Sequence, residues 1–194
     1  MKATKPHDAV AIPRNRYITF SAIAVFGCAA DLLTKYWVFQ WRGMPGDNDV
    51  WWLWEPYVGI ETAMNRGALF GMGPGYGWVF AALSIVAAIG IVLWLFWYGA
   101  ARDMLLTITL GLVTGGIGGN LYDRLGLWQN PGVPGEWHNE VRDWILFRYG
   151  EFTWPNFNIA DSLLVCGAIL LLWHGLRHPA PAAAEAQAKP DRGQ

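Results

Sequence analysis

Charge is what this 194-residue chain has least of: 15% of its residues are Asp, Glu, Lys or Arg, where a soluble domain carries about 25%. No charged residue and no histidine occurs from Gly67 to Ala101, or from Met104 to Tyr122. Runs of that length exclude an ordinary soluble domain. Cysteine is scarce as well. The two cysteines, Cys28 and Cys166, both fall in apolar stretches, so a disulfide framework is excluded and both read as small packing residues. The chain has no HExxH and no GxSxG, its histidines (His7, His138, His174, His178) are scattered, and Ser21, Ser84 and Ser162 have no histidine nearby. Metal-dependent, Cys–His and Ser–His hydrolysis therefore fall away, and no metal or other cofactor is expected. The glycine-rich TGGIGGN lies within an apolar run, so it is not a phosphate loop, and no nucleic-acid partner is expected.

What the chain has instead is apolar length, at 54% hydrophobic residues. A transmembrane helix needs about 20 mostly apolar residues. The two uncharged runs, separated by Arg102 and Asp103, read as two helices joined by a tight turn. Another span runs from Tyr17 through Ala30, then carries Asp31 and Lys35 before Trp37, Val38 and Phe39. The last starts near Asn158 and ends near Trp173, with Asp161 as its only charge. The expected fold is an all-α membrane protein of four transmembrane helices with a small extracytoplasmic β-rich segment. Residues 1–16 read as a cytoplasmic tail, 17–176 as the membrane domain and 177–194 as a disordered cytoplasmic tail, since HPAPAAAEAQAKPDRGQ can bury almost nothing. The first apolar run leads straight into polar residues without a small-residue cleavage site, so it reads as a retained span rather than a leader.

Orientation follows from Lys and Arg. Lys2, Lys5, Arg14, Arg16, Arg102, Arg177, Lys189 and Arg192 fall on one side of the four spans; Arg42, Arg66, Arg124, Arg142 and Arg148 fall on the other. The richer side holds both termini and is expected to be cytoplasmic, in a cell inner membrane. On the outer side, Trp51, Trp52, Trp54 and Tyr57 are aromatics suited to the membrane–water interface. Val58, Ile60, Thr62 and Met64 alternate with other residues in the manner of a short strand. Two further β-prone runs, VRDWILF and EFTW, flank a turn at Arg148, Tyr149 and Gly150. Between Tyr122 and Val141 lies the Pro/Gly-rich LWQNPGVPGEWHNE, read as an exposed loop that tolerates shortening from about Trp128 to Glu136.

Ionisable groups within or at the ends of spans are costly and mark function by default. Asp31 and Lys35 share a helical face four residues apart and read as a structural ion pair. Asn65 sits in NRGALFG, a turn whose amide can contact a substrate backbone. Asn120 and Asp123 share a face, with Arg124 next, and Asp123 and Arg124 could neutralise one another or bind their neighbours. Gly111, Gly115, Gly116, Gly118 and Gly119 before them suit close helix packing. Asn158 and Asp161 again lie three apart, and Asp143 lies upstream on the same outer side. Two carboxylates brought to one site cannot both ionise easily, which yields a base to activate water and an acid to protonate a leaving group. Intramembrane carboxylates also mark the proton relays of transporters, but these polar groups gather at one membrane side and do not line a path across.

In order along the chain, DLLTKYW, NRGALFG, GGIGGNLYDR, VRDWI and FNIADS resemble the motifs of the lipoprotein signal peptidase (signal peptidase II) family. The resemblance implies a peptidase that uses an aspartate pair without metal and cleaves prolipoproteins just before a diacylglyceryl-modified cysteine. It places the catalytic pair on Asp143 and Asp161. It places substrate-binding or supporting roles on Asn65, Asn120, Asp123, Arg124, Asn158 and Ala160. The partners it implies are diacylglyceryl-modified prolipoproteins and membrane lipids. The chain departs from the family pattern in an insertion of about ten residues, GLWQNPGVPGEWHNE, and in GALFG where the family has GAAFG.

Overall fold

Helix α1 runs from Arg14 to Arg42 over 29 residues. At 1.5 Å per residue it is about 44 Å long, more than the ~30 Å of hydrocarbon in a bilayer, so part of it projects beyond the apolar layer. A computed structural model describes residues 11–67, 75–128, 137 and 139–177. Both tails beyond these bounds and most of the Pro/Gly-rich stretch lie outside the described residues. Helix α2 (Gly77–Val92) passes into a π-helical turn, Leu93–Trp97. The chain then reverses over Gly99, which takes a positive φ of 81°, a conformation that costs glycine little. Helix α3 (Met104–Arg124) starts at Asp103, whose side chain accepts from the Leu106 N–H. Helix α4 covers Ile159–Arg177. All four are long and apolar enough to cross a membrane.

Lipid replaces water around this bundle, which explains its inverted surface. Val25, Phe26, Ile89, Trp97, Ile169 and Leu172 are all exposed, as apolar side chains facing acyl chains must be. Cys166 is exposed in the same way and Cys28 is half-buried, so only Cys28 packs within the protein. Helix α3 is the most enclosed and packs against α1 and α4. Its glycines set those contacts. A Cβ on Gly116 would lie 2.6 Å from the Ala160 carbonyl oxygen, and one on Gly115 would lie 3.0 Å from the Ala24 carbonyl oxygen. Backbone cannot yield as a side-chain tip can, so small residues are required where three helices meet this closely.

The expected β segment is a four-stranded antiparallel sheet in the order β1 (Trp51–Trp54), β2 (Val58–Asn65), β3 (Val141–Tyr149), β4 (Phe152–Phe157). The tryptophans read as interfacial anchors form its first strand. One irregularity matters for everything below. Ile60 faces Ile145, yet Ala63 faces Asp143, so β2 spends one extra residue in a bulge. Directly opposed residues share a face of a sheet, and a one-residue shift moves a strand's side chains to the other face. The bulge therefore brings Ala63 and Asn65 onto the face of Asp143, where a regular ladder would have put Thr62 and Met64.

Candidate active site

Five elements deliver polar side chains to one place, where the helices meet the sheet. Lys35 on α1 is fully buried. Its Nζ lies 2.7 Å from Asp31 and 3.1 Å from Asp123, and it donates to Asn120 Oδ1 at 3.0 Å. The expected Asp31–Lys35 pair is thus present but is half of a larger cluster. Asp123 accepts from the Arg142 side chain through Nε at 3.1 Å and Nη2 at 2.7 Å, and from the Arg142 backbone N–H at 3.0 Å. Of the two alternatives for Asp123 and Arg124, mutual neutralisation or binding to their neighbours, the structure shows the second. Neighbours on a helix point about 100° apart, and Arg124 turns instead to the Gly67 carbonyl at 2.6 Å and the face of Phe80. Asp31, Asp123, Lys35 and Arg142 balance to zero charge, so the buried layer beneath the site is neutral.

Above this layer the amides align. Asn120 accepts from Lys35 and from Asn158 Nδ2 at 3.0 Å, which turns its own Nδ2 to Asp161 Oδ1 at 2.8 Å. Asn158 Oδ1 accepts the Asp161 N–H at 2.9 Å, and Asp161 Oδ2 accepts the Asn158 N–H at 3.3 Å. This reciprocal pair caps α4 in the manner of a capping box. It also commits Asn158 Nδ2 to Asp143 Oδ1, at 2.6 Å. From the bulged strand, Asn65 Nδ2 donates to Asp143 Oδ2 at 3.1 Å. Ala160 is fully buried; its N–H goes to Asp31 Oδ1 at 2.9 Å and its carbonyl abuts Gly116. The structure therefore joins all ten residues singled out in the sequence, with Arg124 alongside the network rather than bonded into it.

The two outer aspartates differ in surroundings. Asp143 is 2% exposed, and burial, followed by the negative charge of Asp161, pushes its carboxyl up to about 8 despite Lys35 and the amides of Asn158 and Asn65. Asp161 is half-buried at the first turn of α4. One proton between two carboxyls is the natural state of such a pair near neutral pH. Arg124 is near enough for its charge to act on both. Beside them, β2 and the 45–50 loop border a cavity of about 710 Å³ that reaches Ala63, the strand partner of Asp143, with Asp49, Glu61, Met64 and Asn156 in its walls. Among the described residues, no three His, Cys or carboxylate groups gather to hold a metal.

Four contributors escaped the sequence reading. Arg142 was counted only as an outer cation, although its place beside Asp143 and a buried strand start was a usable signal. Asn139 donates to the Arg124 carbonyl at 2.9 Å, and Glu140 pairs with Arg66 at 2.9 Å. Trp128, expected in a dispensable loop, is 6% exposed, with Arg142 stacked on its ring. Deleting from Trp128 onward therefore removes a buried residue, contrary to expectation; the rest of that stretch, up to Glu136, lies outside the described residues.

The chain is similar to known proteins. The family model for signal peptidase (SPase) II matches residues 23–177. A lipoprotein signal peptidase of Rhodopirellula baltica is 57% identical over 85% of this chain and 74% of its own length. One from Bacillus velezensis is 36% identical over 79% of this chain and 91% of its own. A solved bacterial membrane enzyme superposes with a TM-score of 0.69 at 26% identity, covering 91% of this chain and 94% of its own.

Proposed function

Because this chain belongs to the signal peptidase II family, a family of membrane peptidases that remove signal peptides from prolipoproteins, we propose that it cleaves as an aspartic endopeptidase through Asp143 and Asp161. The observation that carries this reading is the position of Asn158. Its side chain caps α4 through Asp161 and donates to Asp143, so one residue fixes both carboxyls in a single hydrogen-bonded unit.

The chemistry follows from their surroundings. Asp161, ionised at the helix start, takes a proton from water as the water oxygen attacks the scissile carbonyl carbon. Asp143, neutral in its buried setting, gives its proton to the carbonyl oxygen, so no full oxyanion forms. The resulting gem-diol collapses as Asp161 passes its proton to the amide nitrogen, Asp143 takes back a proton from one hydroxyl, and the C–N bond breaks. The products are a signal peptide with a new carboxyl group and a chain whose first residue has a free amine. Arg124, with Nη1 buried and unbonded among the described residues, stands by to offset negative charge at the reacting centre.

The substrate is a prolipoprotein whose cysteine carries diacylglycerol, cut just before that cysteine. A site where apolar helices meet a polar sheet suits it, since acyl chains stay in lipid while the scissile bond reaches the carboxyls. The cavity beside β2 gives the peptide room along the sheet. Both termini face the cytoplasm of a cell inner membrane, and the site lies near the outer leaflet, as the Lys/Arg bias supports. Reporter fusions at residues 10 and 185 should both read as cytoplasmic; an external signal at either would overturn this orientation. The function itself is tested by expressing the chain in a strain that cannot process prolipoproteins and reading lipoprotein size on a gel. Conversion to the shorter mature form supports the proposal, and persistence of the diacylglyceryl precursor with the chain inserted contradicts it.

A further inference from the structure

The end of α3 aims one aromatic ring at the base of the strand that carries Asp143. Gly126 takes a positive φ of 66°. Its N–H donates to the Asp123 carbonyl, and the Leu127 N–H reaches back to Tyr122. That is the Schellman pattern, which closes a helix and turns the chain back across its own end. The next residue is Trp128. Its ring meets Phe39 of α1 edge-on at 6.4 Å, and the Arg142 guanidinium carbon sits 4.9 Å from its centroid and 6.0 Å from that of Phe39. Arg142 is thus held between two rings while it donates in plane to Asp123. A guanidinium suits this, because it stacks by its face and hydrogen-bonds by its edge at once. The indole N–H has no acceptor among the described residues, so the ring works through its face alone.

We infer that Trp128 is a positioning residue for Asp143: with Phe39 it walls in the Arg142 guanidinium, and so fixes where the start of β3 docks on α3. Arg142 immediately precedes Asp143, and its carbonyl accepts from Asn158 at 3.4 Å, so a shift at Arg142 moves both Asp143 and the amide that tethers it to Asp161. Trp128 falls in the insertion that departs from the family pattern. The inserted stretch thereby contributes to the site from its first turn, whatever its remainder does.

The inference rests on the proposed aspartate pair, and the test separates the two. The full chain in proteoliposomes is given a peptide with a diacylglyceryl-cysteine, and kcat and KM are measured for wild type, Asp143→Asn, Trp128→Leu and Trp128→Phe. Leucine keeps apolar bulk and loses the ring; phenylalanine keeps a ring face and loses an N–H that has no acceptor among the described residues. Misplacement by about 1 Å can cost about a hundredfold, so Trp128→Leu should lower kcat by about ten- to a hundredfold with little change in KM, and Trp128→Phe should recover most of it. Added to Arg142→Gln, Trp128→Leu should cost almost nothing more, because its effect passes through Arg142. Wild-type kcat in Trp128→Leu, equal damage by Phe and Leu, or additive losses in the double variant would overturn the positioning role alone. If Asp143→Asn still cleaves, the aspartate pair falls, and this inference falls with it.

Discussion

Asp143→Asn and Asp161→Asn are each expected to abolish cleavage, by about a hundred- to ten-thousandfold or more, which is the range general acid–base catalysis supplies. Asparagine keeps the shape of the carboxyl. It can still accept from Asn158 at position 143 and from Asn120 at position 161, but it neither takes a proton from water nor gives one to a carbonyl oxygen. Because the proposed acid and base act in the same steps, losing one should cost nearly as much as losing both, and the double variant should be hardly worse than either single. Folding should not suffer at position 143. Its carboxyl is raised from 3.8 to about 8, so the folded state binds a proton more tightly than the unfolded chain does. Stability is then greatest below the unfolded value and falls as pH rises from about 4 to about 8. Asp143→Asn removes that loss, and should unfold no earlier than wild type at pH 8. Gel-based processing at equal membrane accumulation, with thermal unfolding in detergent, measures both halves. Near-normal turnover in Asp143→Asn beside a dead Asp123→Asn would mean that Asp161 has a different partner.

Lys35→Met should be the most damaging change to the fold. Lys35 is fully buried and faces Asp31, Asp123 and Asn120. Removing it leaves Asp31 with no cation and Asp123 with Arg142 alone, and breaking a buried ion pair from one side costs about 3–5 kcal/mol. The variant should accumulate poorly and unfold well below wild type. Removing both charges is a milder change. Asp31→Asn combined with Lys35→Met keeps an acceptor for the Ala160 N–H at 2.9 Å, so it should regain most of the lost stability, since replacing a whole buried pair is often near neutral. Equal accumulation and unfolding for wild type and Lys35→Met would show that the cluster does not hold α1 to α3.

The bundle was legible because membrane length is written in composition. Uncharged runs and isolated charges mark spans and their costly residues one by one, without knowledge of neighbours. Spacing alone also gave the Asp31–Lys35 pair and the Asn158–Asp161 pair, because each lies within one helical turn. What the sequence hid depends on registers between distant segments. The bulge between Ile60 and Ala63 has no marker of its own, yet it decides that Asn65 rather than Met64 faces Asp143. The partner of Asp123 stays open in the sequence for the same reason: Arg124 is adjacent, whereas Arg142 arrives from a distant strand. Trp128 was hidden by its surroundings, since a Pro/Gly-rich stretch reads as exposed along its whole length, although the chain after the Gly126 turn buries the Trp128 ring.

The division of labour between the two aspartates is tested most directly by the pH dependence of kcat/KM for a diacylglyceryl-cysteine peptide. Asp143 must be protonated and Asp161 ionised, so the profile should be a bell whose basic side falls near pH 8, as Asp143 gives up its proton. A rate that stays level or rises from pH 7 through pH 10, with the enzyme still folded, would contradict a mechanism in which Asp143 is the acid.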